Sequence, residues 1–192
     1  LGRLGRREHR VVFAGRHEPR KGLQVLLRAW PDVHRRTGAT LRIAGADPLA
    51  VRLLLSRLRV PDEGIEVLGF LSQDDLTTEL ASAKALVAPS LGGESFGMVL
   101  TRAFACATPV VASDIPGYRE VTTPETSVTV TPDDPALLAD AVTALLADEP
   151  RRVAMGTAAR SLALERYAWN DIARRLEDIY ERAIARDRRR AA

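Results

Sequence analysis

The chain has 192 residues, 46% of them hydrophobic, with a single cysteine and a net charge of +3. That is ample for one domain with a substantial core, and it excludes a disulfide framework or a thiolate metal cluster. No apolar run approaches the roughly 18 residues of a membrane span, and no secretory leader is recognisable.

Basic residues crowd both ends: Arg3, Arg6, Arg7 and Arg10, then Arg186, Arg188, Arg189 and Arg190. They read as solvated tails, giving a lead segment 1–10, a folded domain 11–185 and a tail 186–192. Anionic lipid is the alternative partner of such clusters. Nucleic acid is not expected, because no aromatic residues interleave with the charge. The first residue is leucine, so the chain is expected to be a piece of a longer protein. A reducing cytoplasm fits the cysteine usage, with the inner face of the membrane as an alternative place.

In chain order, the run 11–14 (Val-Val-Phe-Ala) is a predicted buried strand. Leu23, Leu26, Leu27, Trp30 and Val33 then follow helical spacing. The run 40–44 is a second strand ending at Gly45, and Val51, Leu54, Leu55 and Leu58 mark a helix stopped near Pro61. A third strand covers 65–68. Ser72 with Asp75 forms a capping-box pattern opening a helix that carries Leu76 and Leu80. The run 85–88 is strand four, 98–105 a helix, 109–112 strand five and 127–130 strand six. Beyond Pro132 three helices are predicted, over 136–147, 151–164 and 169–185. In the last, Ile172, Leu176, Ile179, Tyr180 and Ala183 make an apolar stripe.

Strands and helices alternating in this way predict an α/β fold, a parallel sheet of about six strands covered by helices on both faces. Ligands of such sheets bind outside the carboxyl ends of the strands, so the loops 16–21, 45–47, 69–71, 90–97 and 113–117 should share one rim. The richest of them is Pro89-Ser90-Leu91-Gly92-Gly93-Glu94-Ser95-Phe96-Gly97. A strand, a glycine-rich turn and a helix start together make an anion site, since free amides and the positive helix end point at one spot. Glu94 is the one carboxylate in that loop. A lone acid beside a phosphate cradle suits hydrogen bonds to sugar hydroxyls, with capping of the helix as the alternative. Arg16 and Lys21 would face the cradle as diphosphate ligands, one as a fork and one as a point charge. Arg20 is expected in solvent, Asp47 and Asp114 as turn residues, and Cys106 as a small core residue.

Gly15-Arg16 with Lys21-Gly22, the Gly93-Glu94-Ser95-Phe96-Gly97 segment, and Thr108-Pro109-Val110-Val111-Ala112-Ser113 with Pro116-Gly117 and Glu120 resemble glycosyltransferase family 4. The likeness spans roughly residues 11–185. Within the family, Glu18-Pro19-Arg20-Lys21-Gly22 and Gly92 to Gly97 are most similar to phosphatidylinositol mannosyltransferases. The resemblance implies a Rossmann-like, doubly wound domain with extra carboxyl-terminal helices, one half of a two-domain GT-B enzyme. It implies that this half binds the nucleotide-sugar donor of a retaining hexosyltransferase, with no metal or other cofactor required. GDP-mannose is the favoured donor, with UDP- and ADP-hexoses as alternatives. Arg16, Lys21 and Glu94 would be the catalytic set. Gly15, Gly93, Ser95, Phe96, Gly97, Met98 and Arg102 would line the nucleotide-sugar, and residues 68–71 would lie near the base. The acceptor site, for a lipid or saccharide, would belong to an absent amino-terminal domain.

The sequence departs from the family pattern at Arg102, where a second acid is usual. A guanidinium has donors only and cannot accept from a ribose diol. Arg102 could bind phosphate, or pair with Glu94 and close the site, which leaves a degenerate, non-catalytic binding or scaffold module as the alternative function. Ala107 stands where glycine is usual, and so does Ser127. A dinucleotide-binding oxidoreductase is not supported, since no Gly-x-Gly-x-x-Gly follows the first strand.

Overall fold

In the computed structural model residues 7–191 are described, except for the side chains of 185 and 187–191; Arg3 and Arg6, and the side chains of Arg188, Arg189 and Arg190, lie outside the described residues. Six parallel strands form one sheet: β1 (Glu8–Ala14), β2 (Thr40–Ala44), β3 (Ile65–Gly69), β4 (Ala83–Ala88), β5 (Val110–Ser113) and β6 (Ser127–Val130). Their spatial order is β3-β2-β1-β4-β5-β6. The chain winds outward from β1 in one direction, then from β4 in the other, so these two central neighbours flank the switch point where a crevice opens.

The helices are α1 (Leu23–Thr37), α2 (Pro48–Leu58), α3 (Gln73–Ser82), α4 (Met98–Ala105), α5 (Pro116–Arg119), α6 (Pro135–Ala147), α7 (Glu149–Arg166) and α8 (Trp169–Ala191). Alternate residues of each strand serve opposite faces, as a pleat requires. Val11 and Phe13 join the cluster under α1, α2 and α6, whereas Val12 joins the one under α3, α4 and α7. Trp30 is fully buried in the first, and its indole N–H donates to the Gly64 carbonyl at 3.0 Å. Ser72 caps α3 by accepting from the Asp75 amide at 3.1 Å, and Asp47 caps α2 through the Ala50 amide at 2.9 Å. Ala107 takes the left-handed conformation, φ 55°, that glycine would hold more cheaply at a helix end.

Two boundaries differ from the sequence expectation. The first strand begins at Glu8, not at residue 11, and Arg7 and Arg10 are not solvated. The Arg7 guanidinium donates to the carbonyls of Ala83, Cys106 and Ala107 at 2.6, 2.9 and 2.7 Å and to Thr108 Oγ1 at 2.8 Å. Carbonyls at a helix end lack partners within the helix, and this cation collects Ala83 at the end of α3 with Cys106 and Ala107 just past the end of α4. Arg10 reaches Glu8, Ser82 and Glu79. At the other end α8 continues through residue 191, so 186–191 extends a helix instead of forming a separate tail. Among the described residues no helix is long and apolar enough to cross a membrane.

Candidate functional site

The crevice between β1 and β4 is walled by two loops, and both are built for close approach. After β1 the chain turns through Gly15–Lys21, with a short 3-10 turn over Pro19–Lys21 that ends at Gly22. After β4 it runs through Pro89–Gly97 into α4. The loops touch through backbone: the Leu91 amide donates to the Arg20 carbonyl at 2.7 Å. Gly22 lies so close that an added Cβ would stand 1.8 Å from the Pro89 carbonyl oxygen. A third loop, after β5, closes the back. There a Cβ on Gly117 would stand 1.8 Å from the Glu94 carbonyl oxygen, and the Tyr118 hydroxyl lies 2.8 Å from Ser90 Oγ. Burial pushes the Tyr118 phenol up to about 12, so it is a neutral strut at physiological pH.

The charged side chains form a relay across the crevice. Lys21 Nζ and Arg20 NH1 each lie 2.6 Å from Glu94 Oε1. Arg20 Nε continues to Glu18 Oε2 at 2.8 Å, and Glu18 Oε1 receives Arg16 at 2.9 Å. Within these two loops the relay's three cations and two carboxylates carry one positive charge in excess, which favours an anionic ligand beside them. The Glu94 side chain is only 10% exposed, whereas that of Arg16 is 73% exposed.

Several expectations change here. Arg20, expected in solvent, holds Glu94. Adjacent residues on an extended loop point apart, but the 3-10 turn folds Arg20 and Lys21 toward the same carboxylate. Arg102 forms no ion pair with Glu94 among the described residues; it lies partly exposed on α4. Glu94 does not cap α4 either. Gly97 does so with its backbone alone, φ 78°, and no side chain accepts from the first turn, whose amides remain suited to an anion.

Lys21, Glu94 and Gly93 therefore come together around Arg20, Gly97 packs against Tyr118, and Arg16 reaches Glu94 only through Glu18 and Arg20. Gly15 ties the rim to β2 through its amide, 2.9 Å from the Ala44 carbonyl. Ser95, Phe96 and Met98 are exposed beside the crevice, and the Phe96 ring stands edge-on to Tyr167 at 5.6 Å. Asp114 pairs with Arg119, whose hydrogen bond holds its carboxyl below the usual range. Cys106 is buried, and burial raises its thiol, which fits a packing role. Sequence reasoning missed Arg20 and the Ser90–Tyr118 strut; the adjacency of Arg20 to Lys21 was the only signal for the first.

Fold and rim thus define a doubly wound α/β domain whose strand-end loops carry a glycine-rich helix start and a cation–carboxylate relay. Residues 8–148 match the family described as Glycosyl transferases group 1, and the chain belongs to that family. It is 39% identical over 175 residues to the phosphatidyl-myo-inositol mannosyltransferase of Mycobacterium leprae, an alignment covering 89% of this chain and 46% of that protein. The chain spans about half the length of the curated relatives it matches. Among solved structures it resembles sucrose-phosphate synthase of Thermosynechococcus elongatus, with 27% identity, a TM-score of 0.81 and coverage of 95% of this chain and 47% of that one. It also shares its fold with Anabaena HepE in complex with UDP and glucose, with 20% identity, a TM-score of 0.80 and coverage of 93% and 49%.

Proposed function

We propose that this chain is the donor-binding half of a retaining glycosyltransferase that moves a hexose, with mannose favoured, from a nucleotide-sugar to a lipid or saccharide acceptor. The observation that carries the reading is the meeting of Lys21 and Glu94 where the glycine-rich loop enters α4, at the switch point of the sheet. Lys21, with Arg16 at the outer rim, would hold the diphosphate and stabilise the charge that builds on the leaving nucleotide. Amides of Phe96, Gly97 and Met98 at the helix start would add fixed dipoles to the same charge. Glu94, an acceptor once ionised, would take hydrogen bonds from hydroxyls of the transferred sugar, and the segment 68–71 would lie beside the base. Mannose is favoured because the Mycobacterium leprae relative is named a mannosyltransferase, and GDP as its carrier because a 34% identical relative of Corynebacterium glutamicum is named GDP-mannose-dependent; the UDP and glucose in the Anabaena structure make UDP-glucose the donor to test against it.

Calorimetric titration of the chain with GDP, UDP and ADP is expected to show one preferred nucleotide. Binding of none would remove this reading for the isolated domain.

The acceptor site is assigned to an amino-terminal partner domain of the same protein, consistent with relatives of about twice this length. The carboxyl-terminal helix supports that assignment. Ile172, Leu176, Ile179 and Tyr180 are 37%, 44%, 56% and 59% exposed, an apolar stripe left uncovered by the described residues. In a two-domain protein, amide hydrogen exchange along α8 is expected to slow at least tenfold relative to this chain alone. Equal exchange would show that α8 does not return to the first domain. The place of action proposed is the cytoplasm, with the inner membrane face as the site if the acceptor is a lipid.

A further inference from the structure

Two cations converge on one oxygen. Arg20 NH1 and Lys21 Nζ both sit 2.6 Å from Glu94 Oε1, and the donor-site reading needs Lys21 somewhere else. Lys21 must lend its ammonium to a diphosphate, while Glu94 must stay ionised and in place to receive a sugar hydroxyl. An ammonium is a compact charge on a flexible stem, and a diphosphate outcompetes a single carboxylate for it. A carboxylate as enclosed as Glu94 becomes costly if its counter-charge leaves.

Resting on that reading, we propose that Arg20 is the positioning residue that keeps Glu94 fixed when Lys21 turns to the diphosphate, and that it thereby sets the preference for the nucleotide-sugar over the bare nucleoside diphosphate.

Arg20 is built for the task in ways that Lys21 is not. Its guanidinium is anchored at the far edge, with Nε donating to Glu18 Oε2 at 2.8 Å, and NH1 also reaches the Gly93 carbonyl at 3.3 Å. Its own carbonyl is held by the Leu91 amide at 2.7 Å. A planar fork gripped by two carboxylates and by its backbone does not swing toward phosphate. From the other side Gly117 presses on the Glu94 carbonyl, so the Glu94 main chain is fixed and only its side-chain torsions are left to set. Arg20 sets them.

The test is calorimetric titration of the 192-residue chain with GDP, GDP-mannose, UDP and UDP-glucose, using wild type, Arg20→Ala, Arg20→Lys and Lys21→Ala. Wild type is expected to favour one nucleotide-sugar over its own diphosphate. Arg20→Ala is expected to lose at least tenfold on the nucleotide-sugar and no more than about threefold on the diphosphate, with Arg20→Lys, which keeps the charge but not the fork, recovering only part of the loss. Lys21→Ala is expected to weaken both forms about equally. If Arg20→Ala weakens both forms equally, Arg20 is a phosphate ligand; if it weakens neither, the pair with Glu94 is incidental. Either result overturns the proposal. A wild type that binds a nucleotide without preferring its sugar form overturns the positioning role alone, and one that binds none of the four ligands overturns the donor-site reading beneath it. Thermal unfolding of each variant checks the fold, and Arg20→Gln gives the same comparison should Arg20→Ala not fold.

Discussion

Gly22→Ala is expected to destabilise the chain by roughly 2–5 kcal/mol and to lower its melting temperature by on the order of 5–20 °C. Two causes add. Gly22 has φ +68°, a conformation that costs an L residue about 1–2 kcal/mol. Its Cβ would also stand 1.8 Å from the Pro89 carbonyl oxygen and 2.7 Å from the carbonyl carbon, both backbone atoms that cannot rotate aside. The two crevice loops would have to part, so nucleotide binding should fall with stability. Gly38→Ala is the internal control. Gly38 has nearly the same angle, φ +67°, with nothing within 4 Å of an added Cβ, and should lose only the conformational part. Any gain from restricting the unfolded chain is common to both variants and cancels. Equal losses from the two would mean that the loops do not approach as closely as described.

Arg102→Glu is expected to raise nucleotide affinity at least tenfold. A carboxylate there could accept from a ribose diol, and hydrogen bonds to charged groups contribute about 1.5–3 kcal/mol each, against about 1.4 kcal/mol per factor of ten. Nothing in the crevice has to be dismantled first, because Glu94 is already held by Arg20 and Lys21 and not by Arg102. The fold should lose a little, since Arg102 lies in the last turn of α4, where a cation suits the helix end and an acid does not. A tenfold rise from measurable wild-type binding would indicate an intact donor site weakened at one position, whereas a rise from no measurable binding would favour the degenerate, non-catalytic module for the natural chain. A fall would make Arg102 itself a ligand contact.

The two variants bracket what could be read from residue patterns. The central strands β1, β4 and β5 were legible as short apolar runs because a parallel sheet buries both faces of its inner strands, while β3 and β6 at the edges carry polar residues between apolar ones; helices declared themselves by spacing and caps, as at Ser72. Arg7 and Arg10 differ from expectation because charge density alone cannot distinguish a solvated lead from cations that bond distant carbonyls, as Arg7 does, or distant side chains, as Arg10 does with Ser82 and Glu79. Pairing of that kind is 76 residues long-range for Arg7 and Ala83.

What the sequence determined by itself was local and periodic: six strands, the helices between them, and a glycine-rich helix start suited to an anion. These depend on side-chain type at short spacing, which the chain carries wherever it folds. Only the tertiary structure decided that Arg20 joins Lys21 on Glu94, that Arg16 stays outside with Glu18, and that Gly22 and Gly117 lock three loops together. Arg20 and Glu94 lie 74 residues apart in the chain, and it is the sheet that brings their loops together. No one-dimensional pattern records that two neighbouring cations will both face a carboxylate arriving from another loop.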